Sequence, residues 1–236
     1  MMALISPRMR LAIFGATLPL LLLAVFMAFV YAPVPSQGFA APNAQRIFYF
    51  HVAAAWVSYL AFFVTSACCI AYLKTRSEKF DIVAVSSAEI GVVFCTVAII
   101  MGSIWARAEW GVFWRWEDMK LFLTLVVWLI FLSYLSIRGM VNSRETRARI
   151  SSVFGILGIL CVPLSFSANR IWAQFHPTVI ATSSGSLQPA MLQALIMAVI
   201  AMTMFYFCLM FVRTDIERMQ LQLEDLRDEM GDDSDE

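Results

Sequence analysis

Charge is scarce in this 236-residue chain: only 14% of residues are Asp, Glu, Lys or Arg, against 61% that are hydrophobic. A soluble domain carries about 25% charged and about 45–50% apolar residues, so an ordinary soluble protein and a disordered one are both excluded. Seventeen basic and 17 acidic residues cancel to a net charge of +0, which excludes a broadly basic nucleic-acid binder. The five cysteines, Cys68, Cys69, Cys95, Cys161 and Cys208, form no CxxC and no CxxCH. That removes a zinc ribbon, a thioredoxin-like redox motif and covalent c-type haem attachment, and leaves small buried hydrophobes as their reading. No Walker A, HExxH or nucleophile elbow occurs, so the chain is read as a non-enzyme with no energy source of its own. Carboxylates are almost missing from the apolar runs. Glu89 is the main one, too little for a relay of titratable groups across a membrane, and a hydrogen-bonded structural group is at least as good a reading of it.

What is present is a mean hydropathy of +0.76 and six long apolar runs. A bilayer-crossing helix needs about 20 mostly apolar residues. The runs are Leu11–Tyr31, His51–Leu73, Ile82–Trp105, Leu121–Ile137, Ile150–Ser167 and Met191–Val212. The fold predicted is all-α: a polytopic membrane protein of six transmembrane helices. The first run follows Arg8 and Arg10 as a signal peptide would, but its apolar core exceeds the usual 7–15 residues, so it is read as a retained span. Two segments are expected, a six-helix domain over 1–212 and a cytoplasmic C-terminal helix with an acidic tail over 213–236. In the second, Ile216, Met219, Leu223, Leu226 and Met230 form a heptad-like seam. Two heptads are too few for a coiled coil; a helix docked on a partner or on its own bundle and an unattached helix are both open.

Lys and Arg set the orientation. Alternate connections hold Arg8 and Arg10; Lys74, Arg76 and Lys79; Arg138, Arg144, Arg147 and Arg149; and Arg213, Arg218 and Arg227, twelve of the 17 basic residues. These are predicted to be cytoplasmic, with both termini inside. The other three connections, about 32–50, 106–120 and 168–190, then face outward. They are longer and more aromatic, and loops of that kind on a rigid scaffold carry function.

The chain has two histidines, His51 and His176, and this topology puts both on the outer side. Two neutral imidazoles facing each other are what bis-histidine ligation of a haem iron requires, one nitrogen on each side of the ring plane. Between them in sequence lies Trp105-Ala-Arg-Ala-Glu-Trp-Gly-Val-Phe-Trp-Arg-Trp-Glu-Asp, with Trp110, Trp114 and Trp116 around Gly111. Singly, Trp105, Trp128 and Trp172 read as interface anchors; four tryptophans within twelve residues exceed a belt. Trp110 and Trp114 share a helical face, and in an extended segment Trp110, Trp114 and Trp116 point one way. Either geometry makes an aromatic wall suited to a porphyrin disc. Arg46, Arg107, Arg115, Lys120 and Arg170 are the basic residues on this side, and Arg grips a carboxylate in a bidentate fork. A permease, or a structural membrane subunit whose tryptophans are only a belt, is the competing reading.

Trp110-Gly-Val-Phe-Trp-Arg-Trp-Glu resembles the tryptophan-rich WGxxWxWD signature (the WWD motif) of the haem-handling proteins of cytochrome c biogenesis. Arg46-Ile-Phe-Tyr-Phe-His51-Val-Ala-Ala-Ala-Trp56 is similar to the start of the second span in the haem exporter protein C (CcmC) family. His176, with Pro189-Ala-Met191 further on, is similar to the segment before that family's last span. The likeness runs from about Arg46 to Val212. It implies a multi-pass protein of the cytoplasmic (inner) membrane that holds haem b, non-covalently and transiently, at the outer, periplasmic face. By this resemblance His51 and His176 are the axial ligands. Trp110, Gly111, Trp114 and Trp116 form the platform, with Arg46, Arg107, Arg115 and Arg170 for the propionates. The implied partners are the haem chaperone CcmE, CcmA- and CcmB-like subunits of an ABC transporter complex, a small CcmD-like subunit and membrane lipid. Glu117 stands where the family has Asp, with Asp118 next to it, and either carboxylate can take that role.

Overall fold

The computed structural model describes residues 6–35, 40–172 and 187–232. It contains six long helices: α1 (Pro7–Phe26, continued by a π-helical turn Met27–Tyr31), α2 (Gln45–Thr75), α3 (Glu78–Trp110), α4 (Met119–Met140), α5 (Arg144–Ile171) and α6 (Pro189–Asp232). All six are long and apolar enough to cross a membrane, which makes the chain a multi-pass membrane protein. Helices are the outcome because lipid offers no partner to a free N–H or C=O, so each segment must satisfy its own backbone.

The connections follow local chemistry. Arg76 takes the left-handed conformation at φ 56° and closes α2, so that α3 begins two residues later. Gly111, at φ 77°, does the same after α3, a backbone position that glycine adopts without a Cβ penalty. Asp118 caps α4: its Oδ1 accepts from the Lys120 and Leu121 amides at 3.0 and 3.2 Å, and it is fully buried. Asp118 is a helix cap, whereas Glu117 is exposed.

Helix α2 packs against α3, α5 and α6, while α1 rests mainly on α6. The α1–α2–α6 contact is rich in small side chains, among them Ala24, Ala28, Ala53, Ala194, Ala198 and Ala201, all buried, with Phe48, Tyr49, Met191 and Leu195 beside them. Apolar side chains feel no hydrophobic drive to leave lipid, so membrane helices associate by close approach at small residues. The outward face of α1 accordingly keeps Leu11, Leu18 and Leu22 exposed. Hydroxyls join the helices in the middle of the bundle. Ser66 donates to the Gly155 carbonyl at 2.6 Å, Thr65 to the Ala84 carbonyl at 3.2 Å, and Ser87 pairs with Tyr206 at 2.8 Å.

One end of the bundle is held by ion pairs and is called the arginine end below. Arg138 grips Asp81 with both Nη atoms, at 2.6 and 2.8 Å, in a buried fork. Arg213 grips Glu89 through Nε and Nη2 in a half-buried fork, and its Nη2 also reaches Glu217 at 2.8 Å. Glu89, the carboxylate that a permease would need, is thus fastened to a guanidinium of α6. Arg144 reaches Glu224 and Asp225 at 3.0 and 2.6 Å.

These contacts bear on the tail. Helix α6 continues without a break from its membrane span to Asp232. It docks on its own bundle along the face carrying Glu217, Leu221 and Glu224, with Leu221 buried. The heptad-like seam lies on another face, and Ile216, Met219, Leu223, Leu226 and Met230 are all exposed.

Candidate functional site

At the other end, α2, α3, the 111–118 loop and the first turns of α4 enclose a cavity of about 80 Å³. His51, Gly102, Trp105, Trp110, Trp114 and Lys120 are among its walls. The local sequence explains how they meet. Helix α2 starts at Gln45, so His51 sits two turns inside it rather than at its tip. Helix α3 runs on to Trp110, which places Trp105 and Trp110 on one rigid element. Gly111 then turns the chain, and Asp118 starts α4 with Lys120 in its first turn.

His51 is half-buried. Its Nδ1 lies 2.9 Å from the Ala98 carbonyl of α3. A carbonyl only accepts, so Nδ1 carries the proton and donates. In a neutral imidazole the other nitrogen is then an unprotonated acceptor, and Nε2 has no hydrogen-bond partner among the described residues. An N–H bonded to a carbonyl, with the second nitrogen free, is the arrangement that orients a histidine for a metal.

The indoles do not form a flat wall. Trp105 and Trp110 meet edge-to-face, centroids 5.5 Å apart at 80°. Trp114 and Trp116 meet at 5.8 Å and 61°. The ring quadrupole favours such tilted pairs, and the turn at Gly111 separates the two couples. Trp116 is 68% exposed and stands outside the cavity lining. Trp105, which by sequence reads as an interface anchor, is part of the wall. Trp128, read the same way, instead donates to Thr96 Oγ1 at 2.9 Å inside the bundle. The Nε1 atoms of Trp105 and Trp114 are buried with no acceptor among the described residues. A buried donor without a partner costs about 1–3 kcal/mol, so both indoles call for an acceptor, from water or from a ligand, beside the cavity.

Among the described cations, Lys120 is the one that lines the cavity. Its Nζ donates to the Ser165 carbonyl at 3.1 Å and lies 5.6 Å from the ring centres of both Tyr59 and Phe166. No carboxylate pairs with it among the described residues. Behind it, Tyr59, Thr124 and Ser165 hydroxyls form a closed hydrogen-bonded triangle of 2.8 to 3.2 Å.

Arg46, Arg107 and Arg115, singled out by sequence, are not among the cavity walls. Arg46 donates to the Phe29 carbonyl and lies over that ring at 5.6 Å. Arg107 donates to the Gly111 carbonyl and lies over Phe113 at 5.6 Å. Arg115 lies over Trp110 at 5.6 Å. Helix α5 carries Arg170 in its last turn. His176 lies outside the described residues, so its distance from His51 is not part of this geometry. The Glu109 carboxylate accepts from the Ala40 and Ala41 amides, both at 3.0 Å, and ties the first connection to α3. Among the described residues no three His, Cys, Asp or Glu side chains converge as a metal cage.

The family model described as heme exporter protein C (CcmC) matches residues 1–228. The chain is 29% identical over 172 residues to a putative cytochrome c biosynthesis ccmC-like mitochondrial protein of Marchantia polymorpha, covering 72% of this chain and 71% of that one. It is 28% identical over 166 residues to heme exporter protein C of Bradyrhizobium diazoefficiens, covering 70% of this chain and 63% of the relative. To heme exporter protein C of Rhodobacter capsulatus it is 25% identical over 231 residues, covering 96% and 94%.

Proposed function

This chain belongs to the heme exporter protein C (CcmC) family, and on that premise we propose that it collects haem b at the outer face of the inner membrane and hands it to a chaperone. The family is one of membrane transport proteins and not of enzymes. The observation that carries the proposal is His51, held by the Ala98 carbonyl with Nε2 free, in a cavity walled by indoles and a lysine.

The donor set fits haem as cargo. The porphyrin supplies four of the iron's ligands, so no cage of three protein ligands is needed, only axial ones. His51 Nε2 is one, and His176 is proposed as the other. Trp105, Trp110 and Trp114 offer ring edges and faces to a flat apolar disc. Lys120, paired with a backbone carbonyl but with no carboxylate among the described residues, and the two indole N–H groups are partners for its carboxylates, with Arg107 in the last turn of α3 and Arg115 in the loop after it. The enclosed volume of about 80 Å³ is far below the roughly 300–1,000 Å³ that surrounds a whole small ligand. A disc as wide as a porphyrin therefore stays partly outside, against exposed Phe113 and Trp116. That suits a carrier, because a ligand that is passed on must remain reachable.

In this reading the tryptophan end faces outward and the arginine end, with both termini, faces the cytoplasm. CcmE receives the haem, and CcmA-, CcmB- and CcmD-like subunits supply the energy coupling that this chain lacks. Glu89 supports the reading against a permease, since Arg213 holds its carboxylate.

The test is haem co-purification with single variants in detergent. His51→Ala and His176→Ala should each lose the Soret band of the purified protein. Normal spectra in both would remove the ligand assignment.

A further inference from the structure

We propose that Gly102 is a positioning residue for His51, and that α3 sets which imidazole nitrogen is offered to the iron. The inference rests on the reading of His51 as a haem ligand. A Cβ built on Gly102 would stand 2.7 Å from His51 Cε1, 3.1 Å from Nδ1 and 3.6 Å from Nε2. The first distance is closer than any side chain tolerates, so the imidazole lies flat on a surface that only hydrogen leaves open. Gly102 and Ala98 are four residues apart and share one face of α3. The Ala98 carbonyl accepts the Gly102 amide within the helix and takes the His51 Nδ1 proton on its second lone pair, at 2.9 Å. One turn of α3 thus supplies both the hydrogen bond that selects the Nδ1–H tautomer and the gap that lets the ring reach it. A methyl group at 102 must turn the ring away from Ala98 or part α2 from α3, and either change frees the tautomer and moves Nε2.

Gly91 provides a matched control on the same helix. Its Cβ would stand 2.7 Å from Phe62, also an aromatic carbon, and it is no part of the cavity. Gly91→Ala imposes the same crowding without touching His51.

The experiment compares Gly102→Ala, Gly91→Ala and His51→Ala in the full chain, purified in detergent and titrated with hemin. Gly102→Ala is expected to bind at least about tenfold more weakly and to lose the low-spin, six-coordinate spectrum. Gly91→Ala should keep that spectrum even where it melts earlier. A wild-type spectrum and affinity in Gly102→Ala, with loss in His51→Ala, overturns the positioning role alone. Retention in His51→Ala overturns the ligand reading and this inference with it. A second measurement needs neither haem nor a substitution at Gly102 or His51. The chain has two histidines, so ¹⁵N-histidine spectra of the haem-free protein, with His176→Ala to remove the second signal, report His51 directly. The Nδ1–H tautomer is expected; the Nε2–H tautomer would overturn the inference.

Discussion

The two ends of this bundle treat their cations differently. At the arginine end, guanidinium groups meet carboxylates: Arg138 with Asp81, Arg213 with Glu89 and Glu217, Arg144 with Glu224 and Asp225. At the tryptophan end they rest on rings and backbone carbonyls: Lys120 on Tyr59, Phe166 and the Ser165 carbonyl, Arg107 on Phe113 and the Gly111 carbonyl. A cation already neutralised by a carboxylate ties helices together and has little left for a ligand. A cation on a π face keeps most of its charge, and it can take a carboxylate without breaking an ion pair. The same residue types therefore build a clamp at one end and, among the described residues, leave Lys120 and Arg107 without a carboxylate at the other.

The largest effect should come from the clamp. Asp81→Ala leaves the Arg138 guanidinium buried and unpaired, a change that costs about 3–5 kcal/mol. It should produce a steep fall in melting temperature in detergent, with the haem spectrum of the surviving folded fraction intact. A lost spectrum at normal stability would break the division of labour between the ends.

Next comes Lys120→Ala. A hydrogen bond to a charged group contributes about 1.5–3 kcal/mol, so hemin affinity should fall by roughly one to two orders of magnitude; the melting temperature should fall less than in Asp81→Ala, through loss of the bond to the Ser165 carbonyl. Titration with hemin and with a porphyrin iron complex whose propionates are esterified sharpens the point. The ester should bind wild type and variant alike, and equal losses for both ligands would remove Lys120 as a carboxylate partner.

The smallest effect is expected for Trp105→Phe, which keeps a ring in the wall and deletes a buried N–H without an acceptor. Hemin affinity should fall by about 1 kcal/mol, near the net value of one hydrogen bond. The haem-free protein should be no less stable, since it sheds an unsatisfied donor. Calorimetric titration and a melting curve check the two signs.

The six spans were legible because each is an apolar run of nearly 20 residues or more in a chain with few charges. Their ends were less so. Helix α2 begins six residues before His51, and α6 runs twenty residues past Val212, because polar residues at a helix end look the same whether or not the helix continues. The tryptophan-rich loop and His51 could be picked out as chemistry in an apolar background. That Lys120 and Trp105 line the cavity, and that Arg46 and Arg107 each hold a backbone carbonyl and a ring, could not be read from the sequence. A helix that is apolar all round carries no pattern saying which face meets its neighbour. Nor did the sequence pair Arg213 with Glu89, which are 124 positions apart.

The amino-acid sequence by itself determined that this is an all-helical membrane protein with one aromatic, histidine-bearing end and one basic end. A bilayer accepts few other solutions for such composition, and charge placement along the chain is readable without coordinates. The tertiary structure decided which side chains share the cavity, that Asp118 is a cap, and that the Ala98 carbonyl and the bare face of Gly102 hold His51. Those contacts depend on the rotation and register of one helix against another, set by close packing of small residues across the whole bundle.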